Sequence, residues 1–138
     1  MLSRLLEVLL IEALRSTSGT GASPGLVRAL ADARLAAALR AMHARPDHAW
    51  TVRDLVGEAA LSRSTFFERF NRAMGIAPME YLLAWRMALA TGLLRRGACS
   101  IAEVAQRVGY SSASTFSVAF ARHVGVPPAR YVREAAIS

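Results

Sequence analysis

Among its 138 residues the sequence has no lysine, a single cysteine and no unbroken apolar run of membrane-spanning length. Without lysine, all 17 basic side chains are arginines. Arginine's planar fork suits phosphates and guanine edges, which fits a nucleic-acid partner, although a GC-rich coding bias produces the same composition. The lone Cys99 excludes an internal disulfide framework and a multi-cysteine zinc site, and fits a reducing compartment. The most apolar stretch, Leu5 to Leu14, is broken by Glu7 and Glu12 and flanked by Arg4 and Arg15. That falls short of a membrane span and lacks the layout of a signal peptide, so no membrane partner is expected and the chain reads as cytoplasmic. Strand periodicity is missing as well, since no segment alternates convincingly at period two, and this points to an all-α protein.

What is present begins with charge. Ten acidic residues against 17 basic ones leave +7, a surplus that calls for a polyanionic partner, with nucleic acid first. Hydrophobic residues make up 54%, enough for a core. Residues 16–25, STSGTGASPG, read as a flexible link between an N-terminal helix over 1–15 and a domain over 26–138. A phosphate-cradling loop would need a preceding strand and a Gly-Lys-Ser/Thr ending, and has neither. In the N-terminal helix Leu2, Leu5, Leu6, Leu9 and Ala13 form one apolar stripe, widened by Val8, Leu10, Ile11 and Leu14. Such a helix needs a partner, and a homodimer through this segment is expected. Past the link, Leu35, Leu39 and Met42 keep helical spacing behind Asp32 as a cap, and Pro46 and Asp47 break the chain before Trp50.

An internal repeat decides the organisation. The segment from Trp50, WTVRDLVGEAALSRSTFFERFNRAMGIAPMEYL, aligns with CSIAEVAQRVGYSSASTFSVAFARHVGVPPARYV from Cys99, with one extra residue in the second copy's turn. Val52, Leu55 and Ala60 match Ile101, Val104 and Gly109; Thr65, Phe66, Phe70, Gly75, Pro78 and Tyr81 match Thr115, Phe116, Phe120, Gly125, Pro128 and Tyr131. Each copy has helix-turn-helix grammar, over about residues 50–75 and 100–125. Thr51 with Asp54, and Ser100 with Glu103, sit at capping-box spacing. Gly109 suits a left-handed turn residue, whereas Ala60 at the matching place is expected to resist it. The second helix of each copy buries an i, i+4 Phe pair as core. Between the copies, residues 78–96 read as one long helix that begins at Pro78, ends at Gly97 and presents Tyr81, Trp85, Ala88, Leu89 and Gly92 as one face.

These residues resemble the paired DNA-binding region of the AraC/XylS family of bacterial transcriptional regulators. GYSSASTFSVAFARHVGVPPARY is similar to that family's C-terminal signature, and YLLAWRMALATGLLRR to its linker helix. The resemblance covers roughly residues 32–133. It implies two homeodomain-like helix-turn-helix subdomains joined by a linker helix, double-stranded DNA as partner, RNA polymerase as a further partner of an activator, and no cofactor. The 31 residues before Asp32 are too few for the family's usual sensor barrel, so an upstream sensor is expected to be absent, with residues 1–15 resembling its last helix.

By the same resemblance the base-reading positions are Ser64, Phe67 and Glu68 in the first copy and Ala113, Ser114, Ser117 and Val118 in the second. Glu68 suits a cytosine amino group and Phe67 a thymine methyl; the second copy offers only small apolar or hydroxyl contacts. Phe67 as a third core aromatic, with Glu68 as a solvated acid, is the other reading of that pair. Arg53, Arg63, Arg69, Arg72, Arg107 and Arg122 lie in or beside the motifs, where they can pair with phosphates. No catalytic or metal site is expected, because His43, His48 and His123 are scattered and Cys99 has no base or acid beside it in the sequence. A helical protein-interaction module that does not bind DNA, or a fragment of a regulator, is the rival class, favoured by the second copy's apolar face.

Overall fold

The computed structural model describes residues 24–137 except Ala98. The expected helix over 1–15 and the link as far as residue 23 lie outside the described residues. Eight helices and no strand are present among the described residues: α1 (Pro24–Ala31), α2 (Ala33–Ala44), α3 (Val52–Ala59), α4 (Arg63–Met74), α5 (Pro78–Arg96), α6 (Ile101–Arg107), α7 (Ala113–Val124) and α8 (Pro128–Ile137). The link expected to run to residue 25 therefore ends earlier. Pro24 opens α1, because proline at a first helical position sacrifices no needed N–H, and Leu26 and Ala29 seat the helix by burial.

Capping sets the other starts. Asp32 accepts the Arg34 and Leu35 amides at the head of α2. Thr51 and Asp54 form the full reciprocal box of α3, with both bonds at 3.1 Å. Ser100 accepts the Glu103 amide at 3.1 Å, but Glu103 turns its carboxylate to the Ser100 hydroxyl, so this box is half closed. The repeat extends to the turns. Ala60 and Gly109 donate to Gly57 and Gln106, while Leu61 and Tyr110 donate to Val56 and Ala105. Ala60 adopts the left-handed conformation it was expected to resist, at φ +54°, and is the one non-glycine residue there with positive φ among the described residues. The turn bonds demand that conformation, and Arg34 of α2 reinforces it by donating to the Ala60 carbonyl at 2.9 Å.

Each helix-turn-helix packs between the helix before it and the helix after it: α3 and α4 between α2 and α5, α6 and α7 between α5 and α8. Phe66 and Phe70 are fully buried with ring centroids 5.7 Å apart, and Phe116 and Phe120 repeat this at 5.6 Å. A tyrosine from the following helix closes each stack edge-on, Tyr81 on Phe70 at 5.9 Å and Tyr131 on Phe120 at 5.5 Å. Its hydroxyl then reaches the penultimate residue of the preceding helix. Tyr81 meets His43 Nε2 at 2.6 Å, and Tyr131 accepts from Arg95 Nε at 2.9 Å. Burial keeps His43 neutral, pulling it from 6.5 to about 4, and pushes the Tyr81 phenol up.

Helix α5 departs from the single face expected of it. Tyr81, Leu82, Trp85 and Leu89 are buried on one side, and Met87, Ala90 and Leu94 on nearly the opposite side, while Ala88 and Gly92 are only partly covered. One face was expected because apolar spacing was followed along a single stripe; a helix between two units needs two.

Two outcomes follow from these contacts. Ala60→Gly relieves a strained left-handed alanine and should raise unfolding free energy by about 1 kcal/mol in a urea titration, where an unchanged midpoint would show no strain. His43 is neutral when folded but takes a proton near pH 6.5 when unfolded, so its contribution is fully present above 6.5 and is lost as pH falls toward 4. The loss should reach about 3 kcal/mol, and the difference in this slope between wild type and His43→Gln measures it.

Candidate nucleic-acid interface

The two recognition helices start alike. Ser62 accepts the Thr65 amide at 3.3 Å and donates to its hydroxyl at 2.8 Å; Ser112 accepts the Thr115 amide at 3.1 Å and pairs with that hydroxyl at 2.7 Å. With the Phe pairs holding the inner faces of α4 and α7, helical spacing turns Ser64, Phe67 and Glu68 outward in the first unit and Ser114, Ser117 and Val118 outward in the second. Ser64, Glu68 and Ser114 are exposed, Ala113 and Ser117 half-buried, and Val118 is 60% exposed despite being apolar. Phe67 fits neither reading fully. It is half-buried, edge-on to Phe66 at 6.2 Å, with the Arg63 guanidinium 5.8 Å from its ring centre.

Glu68 is not a bare acid, because its carboxylate accepts from Arg72 at 2.9 Å one turn along the exposed face. An exposed i, i+4 pair of this kind contributes only about 0.3–0.5 kcal/mol, so it holds Glu68 weakly. Asn71 shares this stripe, is exposed, and lines a shallow cleft of about 460 Å³ with Phe67, Glu68 and Glu80. Sequence reasoning missed it, although its spacing of three from Glu68 and four from Phe67 was visible. The aligned residue in α7 is Ala121, so the second face has Arg122 but no counterpart of Asn71.

The arginines divide into two sets. Arg69 reaches the Asp32 carboxylate at 3.6 Å, which ties it to the cap of α2. Arg72 and Arg63 are engaged with Glu68 and Phe67 on the recognition face itself. Arg53, Arg107 and Arg122 are exposed and make no ion pair among the described residues. The histidines do not come together: His43 is in the core contact with Tyr81, His48 stands 3.8 Å from Asp54 and edge-on to Trp50, and His123 is exposed. Among the described residues no three His, Cys, Asp or Glu side chains are grouped to hold a metal, and no helix is long and apolar enough to cross a membrane.

Comparison with known proteins places the arrangement. Residues 55–134, more than half of the chain, match the family described as "Helix-turn-helix domain". The chain belongs to the AraC-type helix-turn-helix family. It is 43% identical over 129 residues to an AraC-like transcription regulator of Streptomyces antibioticus, covering 92% of this chain and 43% of that protein. The HTH-type transcriptional regulator AlkR of Acinetobacter baylyi is 36% identical, over 92% of this chain and 42% of its own. The AraC-type chain thus spans less than half the length of these relatives. Among solved structures it is similar to the DNA-binding domain of AdpA, a global transcriptional factor, in complex with a target DNA. That match has 30% identity and a TM-score of 0.63, covering 81% of this chain and 93% of that one. A DNA-binding transcriptional dual regulator from Escherichia coli K-12 matches at 26% identity and a TM-score of 0.67, over 76% and 93%.

Because the Glu68–Arg72 pair is exposed on both sides, Glu68→Ala should change unfolding free energy by no more than about 0.5 kcal/mol in chemical denaturation; a larger loss would show that Glu68 supports the fold.

Proposed function

We propose that this AraC-type chain binds double-stranded DNA sequence-specifically as a transcriptional regulator, with α4 and α7 in successive major grooves on one face of the duplex. The observation that carries this reading is the duplicated mounting: two recognition helices, each pinned inward by a Phe pair and each with an open outward face, on either side of one helix. The net charge of +7 and the solved AdpA domain bound to its target DNA support it. Glu68 accepts from a cytosine amino group, Asn71 suits adenine, and Phe67, Ala113 and Val118 suit thymine methyls, with Ser64, Ser114 and Ser117 as hydroxyl contacts. Arg53, Arg63, Arg72, Arg107 and Arg122 take phosphates, and Arg69 joins them where it leaves Asp32.

The role is binding rather than catalysis, and its setting is the cytoplasm. RNA polymerase is the further partner that an activating role requires, and one relative, RclR of Escherichia coli, 36% identical over 71% of this chain, is named a transcriptional activator. Residues 1–15 pair two copies through their apolar stripe. One observation favours a second reading, a protein-interaction module: the second unit presents Val118, 60% exposed, where the first unit carries Glu68.

Fluorescence anisotropy on a random duplex of about 30 base pairs separates the two. With six or more phosphates contacted, affinity should fall about a thousandfold between 50 and 200 mM salt. Absence of binding at the lower salt would favour the interaction module.

A further inference from the structure

Arg86 lies between the two buried faces of α5, where the first unit, the linker helix and the second unit meet. Its Nε donates to the Pro46 carbonyl at 3.1 Å and one terminal nitrogen donates to the His48 carbonyl at 2.8 Å. Both acceptors belong to the loop between α2 and α3, in the first unit. The same guanidinium abuts the second unit's turn. A Cβ at Gly109 would stand 2.8 Å from the Pro46 oxygen, 2.9 Å from Arg86 Nη2 and 3.0 Å from Arg86 Cζ, so only a glycine permits this approach. Gly109 also has φ +92°, and the next residue, Tyr110, packs edge-on against Phe116 of α7 at 5.7 Å. The Pro46 carbonyl, the Arg86 guanidinium and Gly109 thus meet at one point, which joins the first unit's loop, the linker helix and the segment that delivers the second recognition helix.

We propose that Arg86 is a positioning residue for DNA recognition, clamping the α2–α3 loop to the Gly109 turn so that α4 and α7 keep one fixed separation and rotation. This rests on the reading of α4 and α7 as groove-reading helices. Arginine suits the place because a planar fork donates to two carbonyls at once and leaves a flat face for Gly109, whereas an ammonium offers neither. Half-buried, the cation has no carboxylate within ion-pair distance among the described residues; the two backbone acceptors hold it, with the Asp47 charge further off. Phase is what DNA demands: one inserted base pair moves the second groove by about 3.4 Å and turns it by about 35°. Two units loosely joined by a helix would follow such a shift; two clamped units cannot.

The test has two arms, each run on wild type, Arg86→Met and Arg86→Lys. In the first, a duplex selected from random DNA by wild type is given insertions or deletions of one base pair between its two contacted segments. Wild type should lose about tenfold in affinity per step, and both variants about twofold or less. In the second arm, spin labels at Glu58→Cys and Gln106→Cys, in a Cys99→Ser background, report the distance between α3 and α6 in the free protein. The distribution should be narrow in wild type and broad in both variants. Variants that melt earlier yet keep the narrow distribution and the tenfold penalty would overturn the clamp, leaving Arg86 a merely structural residue. If wild type selects no DNA site, the functional reading fails by itself, and the distance distributions alone then uphold or refute the clamp.

Discussion

Helix α5 has to bury two nearly opposite faces, and the rest of the architecture depends on that demand. On one face Tyr81 packs on Phe70 and Trp85 on His43 of the first unit, while Met87, Ala90 and Leu94 are buried on the other, and the helix contacts both units. Each unit leans on it, since Tyr81 closes the first unit's Phe pair and α5 packs on both helices of the second. A helix committed on both sides cannot rotate to suit one unit without unseating the other. Packing on α5, together with the Arg86 contact to the α2–α3 loop, therefore relates the two recognition faces.

Duplication with divergence is visible bond by bond. The tyrosine that closes each aromatic stack reaches the same position in the helix before its unit, but the partner is half-buried neutral His43 in one unit and exposed Arg95 in the other. The left-handed turn residue is a strained Ala60 in the first unit and an unstrained Gly109 in the second. Geometry has been retained while chemistry has drifted. The outward faces have drifted furthest, from Phe67, Glu68 and Asn71 to Ser117, Val118 and Ala121, so the two units present different chemistry to whatever they bind.

Much of this was legible in the chain. Repeated Thr-Phe-x3-Phe spacing, paired caps at Thr51 and Ser100, and glycines ending each recognition helix report local rules that tertiary packing does not override. The exposed serines and Glu68 follow from the same periodicity. What escaped was set by distant partners. Pro24 and Gly25 look like loop until Leu26 and Ala29 find a surface to bury against. Arg69 resembles any other recognition-helix arginine until Asp32, far away in sequence, comes within 3.6 Å. Arg86 has no local signature at all, since its acceptors lie 40 and 38 residues earlier. Asn71 differs from these: its spacing from Phe67 and Glu68 is readable in the chain, one turn beyond the other outward positions of α4.

The central claim is that two unlike recognition faces, held at one setting by α5, read two grooves of a single duplex. Hydroxyl-radical footprinting of wild type on a duplex selected from random DNA tests it most directly. The account predicts two protected patches on the same face of the helix, centred about 10 base pairs apart. A single protected patch, or two patches on opposite faces, would contradict it.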